Sequence, residues 1–283
     1  MQLVVHGGAG SVPANAGQRQ RVIDRAAAVG AQNAEPLTAA VTAVGVLESD
    51  PRFNAGVGSA VQSDGDIRTD AGLMTSDGRT GAACSMPGVE HAAGVARLVA
   101  EATPHVLVSG QQAVDLAEAF DIPTGVDLWS RETRQRWDEL AGPGEDTRDQ
   151  LEFVREEFGG IDTVGAVATD GEGVGAVTST GGRWCALAGR VGDVPQIGAG
   201  FYASARAAAS ATGAGEAIAR FGLARRVVDA IEDGDDPGTA TDRTIRGFGA
   251  ETGAEAGVIA VDIDGRTGSA FNSDGMQTAV DER

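Results

Sequence analysis

Asp162-Thr-Val-Gly-Ala-Val-Ala-Thr169, Asp170-Gly-Glu-Gly173 and Val174-Gly-Ala-Val-Thr-Ser-Thr-Gly-Gly182 form the stretch whose reading decides the fold. Small and β-branched side chains on both sides of a Gly-containing turn predict a hairpin of two fully buried strands, Thr163–Thr169 and Val174–Ser179. Gly181-Gly182 ends it. Downstream, Ile218, Phe221, Ala224, Val228 and Ile231 fall on one face of a helix. A short helix follows near Thr239–Ile245, and the chain closes on Gly257–Ile263 and Gly268–Phe271, a hairpin about Asp264-Gly265. Upstream, residues Ala141 to Gly160 carry glycines, a proline and acidic side chains and read as a linker, with one helical stripe at Leu151, Val154 and Phe158.

The first half repeats the pattern. Gln2–His6 reads as a strand running into Gly7-Gly8-Ala9-Gly10. After Pro36, Leu37, Ala40, Val41, Val44 and Leu47 mark a helix. An irregular stretch, Ser49 to Gly58, precedes a hairpin expected from Val57–Gln62 and Asp66–Asp70 about Asp64-Gly65. A turn at Ser76-Asp77-Gly78 leads into a strand at Gly81–Ser85. Val95, Leu98 and Val99 belong to a helix; Val106–Val108 is a brief strand before a helix through Phe120. Hairpins in both halves with helices between them predict an α+β fold with antiparallel sheets, not a doubly wound parallel one.

Composition narrows the chemistry. The 283 residues suffice for one large domain or two small ones, and 42 of them are glycine. Net charge is −19, and all 22 basic residues are arginine. Without lysine there is no Schiff base and no P-loop lysine. So acidic a chain assembles no basic face for nucleic acid and is repelled by an anionic membrane. Its apolar runs are shorter than a membrane span, and Gln2–Val5 is too short for a signal-peptide core, so a cytoplasmic location is expected. Acidity without lysine predicts a salt-adapted protein, because at about 1 M salt the Debye length falls to ~3 Å and surface carboxylates stop repelling. An acidic protein of ordinary conditions is the alternative. Cys84 and Cys185 read as buried thiols, and His6, His91 and His105 lack metal-ligand spacing. Gly8-Ala9-Gly10 follows a strand, but Pro13 stands where a dinucleotide fingerprint needs its third glycine.

Thr163 alone is a β-branched residue in a strand, which is where threonine belongs. It is followed, however, by Thr178-Ser-Thr-Gly-Gly182, Gly189-Arg-Val-Gly-Asp193 and Thr212-Gly-Ala-Gly-Glu216. These segments supply hydroxyls, a guanidinium, carboxylates and a loop rich in backbone N–H groups.

Together with His6-Gly-Gly-Ala-Gly10, Phe53-Asn-Ala-Gly-Val-Gly-Ser59, Asp70-Ala-Gly-Leu-Met74 and Thr103-Pro-His105, these segments run over nearly the whole chain. In that order the sequence resembles the plant-type (type III) L-asparaginases with isoaspartyl peptidase activity, which are N-terminal-nucleophile hydrolases. The resemblance implies one αββα sandwich over 1–283 with two mainly antiparallel sheets, made as a precursor that cuts itself between Asp162 and Thr163. The pieces would be 1–162, ending in a linker over about 141–162, and 163–283. A free α-amino group, with a pKa of about 7.7–8.0, would make Thr163 its own base. By position, Thr180 resembles the threonine that hydrogen-bonds the nucleophile, and Asn54 an asparagine beside it. Thr212 and the Gly213 N–H resemble the oxyanion hole. Arg190 resembles the clamp on a substrate α-carboxylate, and Asp193 with the Gly215 carbonyl the acceptor of its ammonium. Backbone carbonyls of Leu47, Glu48, Asp50, Phe53, Ala55 and Val57 align with a structural sodium loop; no other cofactor is implied. The implied substrates are L-asparagine and β-aspartyl dipeptides, and the implied assembly is a homodimer of cleaved units, with no nucleic-acid or membrane partner.

The chain departs from that pattern at Trp184-Cys-Ala-Leu-Ala188, where the family often has lysine and proline. It departs again at Val194 for a usual serine and at Ala214 for a common threonine or histidine. Glycosylasparaginases share Asp-Thr at the cleavage point but are typically secreted, and threonine-type endoproteases usually carry a longer linker. A glycosylasparaginase-like amidohydrolase and a non-catalytic relative that binds a small amino acid stand as alternatives.

Overall fold

The computed structural model describes residues 1–140, 142, 146–160 and 162–283. In chain order the first half holds β1 (Gln2–Gly10), α1 (Ala16–Gly30), α2 (Pro36–Glu48), β2 (Arg68–Thr75), β3 (Thr80–Pro87), α3 (Ala92–Ala102), β4 (Leu107–Ser109), α4 (Gln111–Ala119), α5 (Arg131–Asp138) and α6 (Thr147–Glu157). The second holds β5 (Val164–Thr169), β6 (Val174–Thr180), β7 (Phe201–Ala203), β8 (Ala207–Gly213), α7 (Gly215–Phe221), α8 (Leu223–Glu232), α9 (Pro237–Thr252), β9 (Ala256–Asp262), β10 (Thr267–Phe271) and β11 (Gly275–Glu282).

The β5–β6 hairpin pairs Val164 with Ser179 through Thr169 with Val174, and every residue in both strands is buried. Two different cores cover it. Val164, Ala166, Ala168 and Val177 pack with Leu37, Val44 and Leu47 of α2. On the opposite face Val167, Val174 and Ala176 meet Phe201, Ala208, Ile259 and Val261 of a second sheet. Each valine, leucine, isoleucine or phenylalanine so buried contributes ~1.5–3 kcal/mol relative to exposure, which is why both faces must be covered. The larger sheet runs β11-β1-β5-β6-β2-β3-β4 and the smaller β10-β9-β8-β7. Among the described residues β3–β4 is the parallel pair and the other named neighbours are antiparallel. Helices α1–α4 lie on the outer face of the larger sheet, and α7–α9 on the smaller. The order of layers is helix, sheet, sheet, helix, as the α+β reading expects.

Local signals explain the helix starts. Pro36 opens α2 behind Glu35, whose carboxylate accepts the Thr38 N–H at 2.6 Å, and Pro237 opens α9 behind Asp236 in the same way. Both pairings satisfy N–H groups that a helix start leaves free.

Several expectations need correction. The helix read through Ile218 to Ile231 is two, because Gly222 takes φ +70° and ends α7 before α8 begins. The helix expected near Thr239–Ile245 extends over Pro237–Thr252. The hairpin about Asp64-Gly65 shrinks to a single bridge, Val61 to Ile67, beside Arg68, which clasps Asp64 at 2.8 Å. α1, α5, β7, β8 and β11 went unread. The alanine-rich β8 favours helix intrinsically, but complete burial between β7 and β9 overrides that preference. Of the linker read over 141–162, residues 141, 143–145 and 161 lie outside the described residues; the helical stripe through Leu151 and Val154 is α6.

Candidate active site

Thr163 stands just before β5, at the middle of the larger sheet, and is 5% exposed. Its Oγ1 donates to Thr180 Oγ1 at 3.3 Å. Thr180 in turn donates to the Asp162 carbonyl at 3.3 Å and accepts the Gly182 N–H at 3.1 Å. The same carbonyl accepts a second hydrogen bond, from Asn54 Nδ2, at 2.8 Å. Asn54 is fixed at three points: it also donates to Gly182 O at 2.6 Å and accepts the Ala60 N–H at 2.8 Å. So the hydroxyl of Thr163 and two donors to the carbonyl of the preceding residue converge on one peptide bond.

The loop after β6 and the start of α7 bring the charged groups together. A side chain at Gly215 would meet Arg190 Nη2 and Asp193 Oδ1, each at 2.7 Å, so only a residue without one leaves them room to converge. A side chain at Gly182 would come within 3.9 Å of Arg190 Nη1, which puts the cation beside the threonine pair. Asp193 is 4% exposed, and its Oδ2 has no hydrogen-bond partner among the described residues. Burial pushes its carboxyl up to about 6, with Arg190 and Arg183 pulling the other way. A buried carboxylate oxygen with spare acceptor capacity, beside a guanidinium, suits a ligand that carries both an ammonium and a carboxylate.

Thr212, the last residue but one of β8, is fully buried, and its Oγ1 accepts the Ala9 N–H at 3.3 Å. The neighbouring Gly8 leaves space that an Asp162 carboxylate oxygen fills: a Cβ there would lie 1.4 Å from it. Thus the bulged end of β1 touches Asp162 on one side and Thr212 on the other. Behind Thr163, His6 Nε2 meets Ser210 Oγ at 2.9 Å, and Ser210 meets Thr178 Oγ1 at 2.7 Å. Burial lowers His6 to about 3, opposed by the Thr163 backbone, so the ring is neutral and serves as a strut between the sheets.

The carbonyls read as a sodium loop belong to the end of α2 and the turn after it. The loop closes on itself through Val57 N–H to Glu48 O at 2.8 Å. The Glu48 side chain points elsewhere, accepting from Ser179 Oγ at 2.6 Å and from the Ala93 N–H at 2.9 Å. It therefore ties this loop to the residue before Thr180.

Three participants were not assigned a role from sequence. Glu216 accepts from Arg190 Nε at 2.8 Å and pairs with Arg183 at 3.3 Å; a glutamate in the first turn of a helix behind Gly213-Ala-Gly215 was the available signal. Asp70 faces Thr180 across the β2–β6 ladder and accepts the Ser85 N–H at 2.7 Å. Burial pushes it up to about 7, against the pull of that N–H and of Arg190. Arg19 pairs with Asp162 at 3.0 Å. Cys84 and Cys185 are free and buried, as read, and no group of three or more His, Cys, Asp or Glu with metal-site geometry occurs among the described residues. No helix among them is long and apolar enough to cross a membrane.

Comparison with known proteins agrees with this geometry. The plant-type L-asparaginase of Pyrococcus furiosus is 38% identical over 298 residues, covering 98% of this chain and 95% of that protein. Two proteins named isoaspartyl peptidase/L-asparaginase, from Danio rerio and Xenopus laevis, are 34% and 37% identical, each covering 98% of this chain and 91% of its own length. The family model described as asparaginase matches residues 1–283, and the chain belongs to that family.

Proposed function

We propose that this chain is an amidohydrolase that releases L-aspartate from L-asparagine and from β-aspartyl dipeptides, using Thr163 freed by self-cleavage as its nucleophile. The observation that carries this reading is the single peptide bond held by both sets of groups: Thr163 Oγ1 on Thr180, and the Asp162 carbonyl on Asn54 and Thr180.

Self-cleavage follows from those contacts. Thr163 Oγ1 attacks the Asp162 carbonyl carbon, and the charge that develops on the oxygen falls on the Asn54 amide and the Thr180 hydroxyl. The C–N bond breaks, a C–O ester forms, and the hydroxyl proton ends on the nitrogen. Water then hydrolyses the ester. The product is an α-amino group on Thr163, a base on the same residue as its nucleophile.

In turnover that amine takes the Thr163 hydroxyl proton as Oγ1 attacks the substrate's side-chain amide. Thr212 and the Gly213 N–H receive the oxyanion, and Arg190 and Asp193 hold the α-carboxylate and α-ammonium. The amine passes its proton to the departing nitrogen, ammonia or an amino acid, and water releases aspartate from the ester. The carbonyls of Leu47, Glu48, Asp50, Phe53, Ala55 and Val57 suit a hard, oxygen-liganded cation; sodium there would stiffen the turn that carries Asn54.

The test is direct. Purified protein should separate under denaturing conditions into pieces 1–162 and 163–283. Thr163→Ala should stay one chain and hydrolyse none of L-asparagine, a β-aspartyl dipeptide or a glycosylated asparagine. Full activity from the intact mutant would end the proposal.

A further inference from the structure

Arg19 is held in place independently of the carboxylate it pairs with. Its Nη2 donates to Gly7 O at 2.6 Å and its Nη1 to Arg52 O at 2.9 Å. The guanidinium carbon lies 4.7 Å from the centre of the Phe53 ring. With the side chain 12% exposed, the group is a fixed cation on rigid elements, and Asp162 Oδ2 is the anion it meets at 3.0 Å. Two clefts share this spot. One, of about 340 Å³, runs along the end of β1 to Met276; the other lies beside Asn54 and Gly182, and Ser11, Arg19 and Asp162 line both. The second cleft is lined by Arg19, Arg52, Arg136 and Arg183 against Glu132 and Asp162. In a chain of net charge −19 that excess of cations is local.

The place Asp162 fills is the place a leaving group must fill. The Thr163 amine gives its proton to the departing nitrogen, so that nitrogen must come within ~2.6–3.2 Å of it. In the uncleaved chain the atom bonded to that same amine nitrogen is the Asp162 carbonyl carbon. A departing amino acid carries its carboxylate one carbon beyond its nitrogen, a reach similar to that of the Asp162 side chain from the scissile bond. We propose, on the basis of the function assigned above, that Arg19, vacated when Asp162 leaves, binds the free carboxylate of the leaving residue in β-aspartyl dipeptides. Arg19 thereby sets a preference for dipeptides with a free C-terminus. Asp162 occupies the subsite in the precursor as that carboxylate does in turnover.

The experiment compares β-aspartyl-leucine with β-aspartyl-leucine amide on the processed enzyme, the second having the same bulk without the anion. A charge-assisted contact of ordinary strength predicts at least a ~10-fold advantage in kcat/KM for the free acid. In Arg19→Gln the ratio should fall toward one, and in Arg19→Lys much of it should remain. The ratio is read within each enzyme, so a lower yield of processed protein does not affect it. If Arg19→Gln fails to process, the wild-type ratio decides alone. A wild-type ratio near one, including the case in which the cleaved tail keeps Asp162 on Arg19, overturns the proposal, as does an undiminished ratio in Arg19→Gln. An enzyme that hydrolyses neither dipeptide nor L-asparagine would instead overturn the function on which it rests.

Discussion

Under the proposed function Asp193 receives a substrate ammonium and so must be ionised, and it is built close to the edge of that condition. Burial pushes it up to about 6, so at neutral pH it is charged and below that value it is neutral. The α-amino group that the proposed cleavage would free on Thr163 is of a kind that titrates at about 7.7–8.0. Lowering the pH should therefore reduce kcat first, and then raise KM for L-asparagine as Asp193 takes up its proton below about 6. Asp193→Asn should show a high KM at every pH and lose that acid limb. A limb that persisted in the variant would assign it to another group. At this scale the sequence was readable where charged residues share one short loop, as Arg190 and Asp193 do, whereas Gly215 reaches them only after β7 and β8 have been laid down. Arg19 was not, because its partner lies 143 positions away and its helix begins in a polar stretch with a weak apolar stripe.

Strands and helices place these groups by close contact between the two sheets. Gly165, the second residue of β5, is one point of close approach: a Cβ there would lie 2.0 Å from Ser210 Oγ of the smaller sheet and 2.5 Å from His6 Nε2 of the neighbouring strand. Gly165→Ala should push β5 from β8 and break the His6–Ser210–Thr178 strut, destabilising by ~1–3 kcal/mol as overpacking does. Thermal melts measure this, and an unchanged melting temperature would mean that the strut yields freely. Elements legible in the sequence are those whose apolar pattern and turn residues agree, such as the β5–β6 hairpin and the helix behind Pro36. β8 was hidden because seven small residues carry little pattern, and β11 because an edge strand with a half-buried, polar face resembles a loop. The break at Gly222 was hidden because the apolar stripe continues across it, and only the left-handed backbone ends α7.

Across the whole molecule, 41 acidic residues face 22 arginines. Many of the arginines sit in short local pairs, such as Arg68 with Asp64, Arg97 with Glu101 and Arg266 with Asp262. The remaining carboxylates repel across the surface at a range set by salt. Melting temperature should therefore fall as salt is lowered from about 3 M to about 0.1 M, where the Debye length reaches ~10 Å. A flat profile would mark the charge as incidental. The order of the larger sheet, β11-β1-β5-β6-β2-β3-β4, carries a different consequence. The proposed cut before Thr163 would leave β1 in one piece while its neighbours on both sides, β11 and β5, go to the other. The pieces would thus be interleaved, unable to part without opening three ladders, β1–β11, β1–β5 and β2–β6. Folding, unimolecular before the cut, becomes an encounter of two chains afterwards, so recovery from denaturant depends on concentration. A processed enzyme would then be preserved by the height of its unfolding barrier, because neither piece can complete the larger sheet alone.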